Sequence, residues 1–116
     1  MRGERRCSTT KEIEALEKAI EETPNNPMLW CKRGDLIQLL DEASERYTLE
    51  EAEISYQKAI EINPINEEAY ESLGHFYDCV LDDPRKAIEY FQRAIELGAG
   101  ESAQLGLKQA KSQLKA

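Results

Sequence analysis

Three copies of one tetrad constrain this chain more than any other feature. Lys18-Ala19-Ile20-Glu21 recurs as Lys58-Ala59-Ile60-Glu61 and as Arg93-Ala94-Ile95-Glu96, at intervals of 40 and 35 residues. Trp30, Tyr70 and Leu105 keep the same two intervals, and so do Pro24, Pro64 and Ala99. Three markers that agree on both offsets define an internal repeat. Periods of about 20–50 residues mean stacked supersecondary units, each burying its apolar face on the next.

The units read as helices. Ala52, Tyr56, Ala59 and Ile60 fall at i, i+4, i+7 and i+8, one apolar face at helical period. Asn63-Pro64 ends that helix, because proline cannot continue the ladder and drives Asn63 out of the α region. Tyr70, Leu73, Gly74 and Tyr77 form the next stripe. Thr9 with Glu12 and Thr48 with Glu51 have capping-box spacing. Asn26-Pro27 and Asp83-Pro84 each offer an N-cap followed by a first-turn proline.

Tyr70-x2-Leu73-Gly74-x2-Tyr77, followed by Ala87-x3-Phe91, resembles the tetratricopeptide repeat, as does Ala52-x3-Tyr56 followed by Pro64. Trp30 and Gly34 fit the same pattern, whereas Arg33 and Ile37 stand where leucine and tyrosine are usual. A mid-helix glycine costs about 1 kcal/mol against alanine, so Gly34 and Gly74 imply a close neighbouring helix. The resemblance covers residues 9–115 and implies an all-α, α-α superhelix of about six antiparallel helices. A half repeat (9–23) precedes a full repeat with an insertion (27–64), a second full repeat (67–98) and a capping helix (101–115). The insertion is read as a lengthened helix through Leu39-Leu40 and a loop at 44–47. An extra residue is placed near Asp82-Asp83. The last helix lacks the small residue, with Gln109 in its place, and carries Ala103, Leu107, Ala110 and Leu114 as its apolar stripe. Residues 1–8 are expected to form a disordered basic tail.

Charge narrows the function. The chain has a net charge of −8, and the arginines of residues 1–10 leave the remainder at −10. Phosphate binding needs a basic face, so nucleic acid is not expected as a partner. No run approaches the ~20 apolar residues of a membrane span, and the arginine-rich start has no apolar segment behind it. Cys7, Cys31 and Cys79 are odd in number and widely spaced, which favours a reducing compartment such as the cytoplasm. A Cys31–Asp35–His75–Cys79 metal site is disfavoured by the lack of any paired Cys-x2-Cys, so neither metal nor cofactor is expected. His75 beside Cys79 is the one candidate nucleophile–base pair, with no sign of a pocket around it. The chain reads as a non-enzyme.

The resemblance implies that the first helix of each hairpin lines a concave groove. The groove stripe is then Met28, Cys31, Lys32, Asp35, Gln38, Leu39 and Glu42 in the first unit. In the second it is Glu68, Glu71, Ser72, His75, Asp78 and Cys79. Its carboxylates outnumber the single lysine, which suits a basic or amphipathic peptide or helix. The lysine–asparagine–arginine clamp for acidic chaperone tails is absent, since its places hold Cys31, Asp35, Ser72, Ala103 and Leu107. Such tails are therefore expected not to bind. The expected function is that of a protein–protein interaction module or adaptor, monomeric or weakly dimeric. The alternative is a self-assembling scaffold or a piece of a longer array.

Overall fold

In a computed structural model the described residues are 2–40 and 46–115, with side chains described from residue 10 to residue 114. Among them all regular structure is helical. The chain folds as two compact units, residues 1–62 and 63–116.

The first unit holds α1 (Arg2–Glu22), α2 (Pro27–Gln38) and α3 (Leu49–Ile62). Helix α1 runs on through Thr9 from Arg2, so the Thr9–Glu12 pair lies inside a helix and the backbone expected to form a tail is helical. Asn26 caps α2 as expected: its Oδ1 accepts the Met28 amide at 3.0 Å, and Pro27 fills the first turn. Helix α2 does not continue through Leu39-Leu40. Leu39 is its C-cap, and the Leu39 and Leu40 amides bond to Leu36 and Ile37, three residues back. That tightening closes the helix. The 44–47 loop falls partly outside the described residues, and Glu42 falls wholly outside them. Thr48 Oγ1 accepts the Glu51 amide at 3.3 Å and starts α3.

The second unit holds α4 (Glu67–His75), a π-turn (Phe76–Val80), α5 (Pro84–Glu96) and α6 (Glu101–Lys115). The π-turn is where the extra residue goes. The Leu81 amide donates to the Phe76 carbonyl at 3.1 Å, an i to i+5 bond, so one residue is absorbed inside the helix rather than in the loop at 82–83. Asp82 then turns the chain with φ 52°, a left-handed conformation that aspartate tolerates better than most residues. Asp83 and Pro84 begin α5, with Asp83 Oδ1 accepting the Lys86 amide at 3.3 Å. Helix α5 ends at Gly98, φ 109°, with Gly98 N–H on Ile95 O and Ala99 N–H on Ala94 O. This is the paired-bond glycine ending of a helix.

Both units pack an aromatic ring against a bare stretch of backbone. A Cβ on Gly34 would lie 2.7 Å from Tyr56 Cζ, and one on Gly74 would lie 2.7 Å from Phe91 Cδ1. A Cβ on Gly106 of α6 would meet the same Phe91 ring from another helix, 2.6 Å from Cε1. Gly106 is not the counterpart of Gly74: the register of α6 is one residue off the expected one, which puts Lys108, again not a small residue, at that place. Ala103 and Ala110 are buried and Leu107 is half-buried, while Leu114 is exposed and Leu105 is 65% exposed. Leu105 is thus not the counterpart of Tyr70. An offset of 34 maps the buried Ala69, Leu73 and Phe76 onto Ala103, Leu107 and Ala110. It also puts exposed Gln104, Lys108 and Lys111 where α4 has Tyr70, Gly74 and Tyr77.

Phe91 is fully buried between two helices, so its ring has little room to yield to an added methyl group. Gly74→Ala and Gly106→Ala should each lower stability by about 1–3 kcal/mol, despite alanine's better helix propensity. A methyl group on Gly100 would meet nothing within 4 Å, and Gly100→Ala should stay within about 0.5 kcal/mol of the parent. Urea denaturation would read all three, and a Gly106→Ala variant as stable as the parent would contradict this packing.

Candidate functional site

Each unit turns one helix stripe away from its glycine contact. On α2 that stripe is Met28, Lys32, Asp35 and Leu39, all exposed and spaced at i, i+4, i+7 and i+11. Gln38 is half-buried at its border. Cys31 does not belong to the stripe: at 2% exposure it is part of the core. On α4, Glu68 is exposed, and Glu71, Ser72 and His75 are half-buried. Asp78 was expected on this stripe and is instead 5% exposed, inside the π-turn. Its Oδ1 has no hydrogen-bond partner among the described residues. The π-turn explains the difference, since the added residue rotates everything after Phe76 away from α-helical phase.

The stripe on α2 is tied to α3 through one hydroxyl. Tyr56 fills the space at Gly34, and its O–H donates to Asp35 Oδ1 at 2.6 Å. Gln38 Nε2 donates to the Tyr56 hydroxyl oxygen, also at 2.6 Å. Asp35 and Gln38 are therefore set in place by the core, not left as unrestrained surface groups. On α4, His75 Nε2 lies 3.6 Å from Glu71 Oε2 and 3.4 Å from Ser102 Oγ of α6. Its ring stands edge-on to Phe91, with centroids 4.9 Å apart. Among the described residues no group of three or more His, Cys, Asp or Glu side chains is arranged to hold a metal ion.

A second cluster escaped the sequence reading. Arg33, where the repeat pattern has leucine, is only 7% exposed. Its Nε donates to Glu17 Oε2 at 3.2 Å, its Nη2 to Glu51 Oε1 at 3.0 Å, and its Nη1 to Ser55 Oγ at 2.6 Å. Glu17 also accepts from Arg46 at 3.1 Å and from the Tyr47 hydroxyl at 3.0 Å. A buried guanidinium must find carboxylates, because an unpaired one would lose its hydration with nothing in return. Arginine on an apolar stripe was the available signal.

Comparison with known proteins bears on all of this. A family model described as the tetratricopeptide repeat matches residues 48–66. The first tetratricopeptide-repeat domain of Spaghetti (RPAP3), bound to the HSP90 peptide SRMEEVD, superposes with a TM-score of 0.80 at 19% identity, over 97% of this chain and 84% of that one. The OM64 tetratricopeptide-repeat domain of Arabidopsis gives 0.76 at 20% identity, over 91% and 83%. The fold is that of a tetratricopeptide-repeat domain. Among curated proteins no sequence matches.

The peptide in the Spaghetti complex ends in Glu-Glu-Val-Asp, so the exclusion of acidic chaperone tails does not stand. Its physical weakness is visible here. Of the five positions used to argue that a clamp is absent, Cys31 and Ala103 are buried core residues. They could not have been groove side chains of either sign.

Burial, and then the hydrogen bond to the Asp35 carboxylate, push the Tyr56 phenol well above its ordinary value of 10.0. The folded protein keeps the neutral phenol while the unfolded chain ionises near pH 10. Stability from this group is therefore complete below about pH 10 and falls as pH rises beyond it, by up to about 1.4 kcal/mol per pH unit. Tyr56→Phe should remove that alkaline slope. Equal slopes for parent and variant in denaturation from about pH 9.5 to 11 would show that the phenol ionises as readily folded as unfolded.

Proposed function

We propose that this chain is a peptide-binding interaction module rather than an enzyme, with the α2 stripe of the first unit and the α4 stripe of the second each a candidate ligand-contact surface. The observation that carries the reading is the fold, together with a domain of that fold that holds a short peptide. The stripes suit the task. They are exposed or half-buried, they lie on helices rather than loops, and the Tyr56–Asp35–Gln38 bonds hold part of one in a fixed arrangement. Preorganised side chains lose less entropy on binding.

For the ligand's chemistry we favour a basic or amphipathic segment. On the α4 stripe Glu68 is exposed and Glu71 half-buried, and Met28 and Leu39 give α2 an adaptable apolar margin. The second reading is an acidic-ended peptide, favoured by the SRMEEVD complex of the Spaghetti domain. On that reading Lys32 supplies the exposed positive charge on the α2 stripe.

The test pairs two fluorescein-labelled peptides with one variant. Wild type and Glu68→Lys/Glu71→Lys, both checked by circular dichroism, are titrated with SRMEEVD and with a lysine-rich amphipathic helix. Under the favoured reading the double reversal weakens the lysine peptide by about tenfold, the sum of two charge contacts of roughly 0.7 kcal/mol. Binding of SRMEEVD that strengthens on reversal would replace it with the second reading. Wild type that takes up neither peptide at millimolar concentration would remove peptide capture by these stripes.

A further inference from the structure

The bonds among Asp35, Tyr56 and Gln38 have a direction as well as a position. A carboxylate oxygen only accepts, so the Tyr56 hydroxyl proton points to Asp35 Oδ1, 2.6 Å away. Burial holds that proton on the phenol well past neutral pH, so the donor is always present. With the proton spent on Asp35, the hydroxyl oxygen must accept from its other neighbour. The Gln38 atom 2.6 Å from it is therefore the amide nitrogen. A reversed amide would set two acceptor oxygens against a hydroxyl with one proton, which settles the side-chain flip from the network itself. Gln38 Oε1 is the outer end. It has no hydrogen-bond partner among the described residues, and Asp78 Oδ1 is the only buried side-chain atom in that condition, so Oε1 is open to solvent.

The end of α2 strengthens that oxygen as an acceptor. Gln38 is the last residue of the helix, where the carbonyl ends of the peptide dipoles gather, and the last turn carries no basic side chain. Lys32, the positive charge of the stripe, stands six residues back, about 9 Å along the axis. Leu39 follows Gln38 directly and is 66% exposed. An open acceptor at the negative end of a helix, beside an apolar side chain, fits a donor carried on an apolar stem. Lysine and arginine are the side chains of that build. An anion there would meet an oxygen whose amide is held from turning.

We infer that Gln38 is the specificity-determining residue at the end of the α2 stripe, accepting a hydrogen bond at Oε1 from a lysine or arginine side chain of the ligand. Tyr56 and Asp35 are its positioning residues, fixing which end of the amide faces outward. The inference rests on the α2 stripe being a ligand-contact surface. Asp35 acts through Tyr56 and makes no contact of its own. Without the hydroxyl, the Gln38 amide turns and offers its own N–H groups as readily as its oxygen.

The test separates a hydrogen bond from a charge contact. The probes are the fluorescein-labelled lysine-rich helix and the same peptide trimethylated at every lysine, which keeps the charge and removes the N–H donors. The parent should bind the unmethylated peptide about fivefold more tightly, the effect of one hydrogen bond. Gln38→Leu should shrink that preference, and so should Tyr56→Phe, which keeps the ring on Gly34. Adding Tyr56→Phe to Gln38→Leu should change nothing further, because the hydroxyl acts only through the amide. In nitrogen-15 spectra one Gln38 side-chain N–H should exchange slowly with water in the parent and rapidly in Tyr56→Phe. A parent that binds both peptides equally, or a Gln38→Leu protein with the parent's preference, overturns the inference while the stripe reading stands. So does a Gln38 amide that exchanges rapidly in the parent. A parent that takes up neither peptide at millimolar concentration removes the stripe reading and this inference together.

Discussion

The structure depends on how closely an aromatic ring can approach a helix that has no side chain there. Tyr56 lies on Gly34, and Phe91 lies between Gly74 and Gly106. At each contact the backbone is the packing surface, so the helices sit nearer than any Cβ would permit. Fully burying a ring of this size contributes about 2–3 kcal/mol. It offsets the propensity lost by placing glycine mid-helix. The geometric effect matters more than the energy. With Gly34 facing Tyr56, the rotational phase of α2 is set, and Met28, Lys32, Asp35 and Leu39 must face away. With Gly74 facing Phe91, Glu68 and Glu71 are set in the same manner, while His75 stands edge-on to the ring.

Polar contacts then refine what packing positions. The Tyr56 side chain is fully buried, yet its hydroxyl bonds to exposed Asp35 and half-buried Gln38. One side chain thus links core to surface. Arg33 plays a different part. Leucine at this position would make a simpler core, and a buried ion cluster is often no more stable than an apolar one. What the cluster adds is direction. Glu17 binds Arg33, Arg46 and Tyr47 at once, so α1, α2 and the chain entering α3 are held in one arrangement.

The fold was legible in the sequence because repeat period, apolar stripe and cap residues agreed with one another. Asn26, Thr48 and Asp83 cap where their chemistry said they would. The failures share a physical cause, which is that spacing counts residues and does not record helix phase. An extra residue can be taken up in a π-turn as well as in a loop, and nothing near Asp82 distinguishes the two. That single choice turned Asp78 inward. The Leu105 assignment failed likewise, since an interval of 35 carried past that turn is one residue too long for α6. Gly106 lies two residues before Lys108, the counterpart of Gly74, so the repeat register did not point to it. Cys31 read as groove because it borders the stripe, although a small apolar side chain on a border is readily taken into the core. Exposure was therefore legible at Met28, Lys32 and Glu68, and less so where a residue's neighbours decide its direction.

This matters for recognition, because an acidic composition does not by itself make an acidic binding surface. Asp35 is committed to Tyr56, Glu17 and Glu51 to Arg33, and Asp78 is buried. Charges engaged in this way contribute to position and little to a ligand, since a new partner would first have to displace an existing one. On the two stripes the exposed charges not engaged in this way are Lys32 on α2 and Glu68 on α4, with Glu71 half-buried 3.6 Å from His75. If the stripes bind as proposed, selectivity rests on Glu68, Glu71 and Lys32, with Met28 and Leu39 beside Lys32 on α2. A surface of that kind distinguishes partners by where a charge falls relative to an apolar anchor, and net charge only steers the approach.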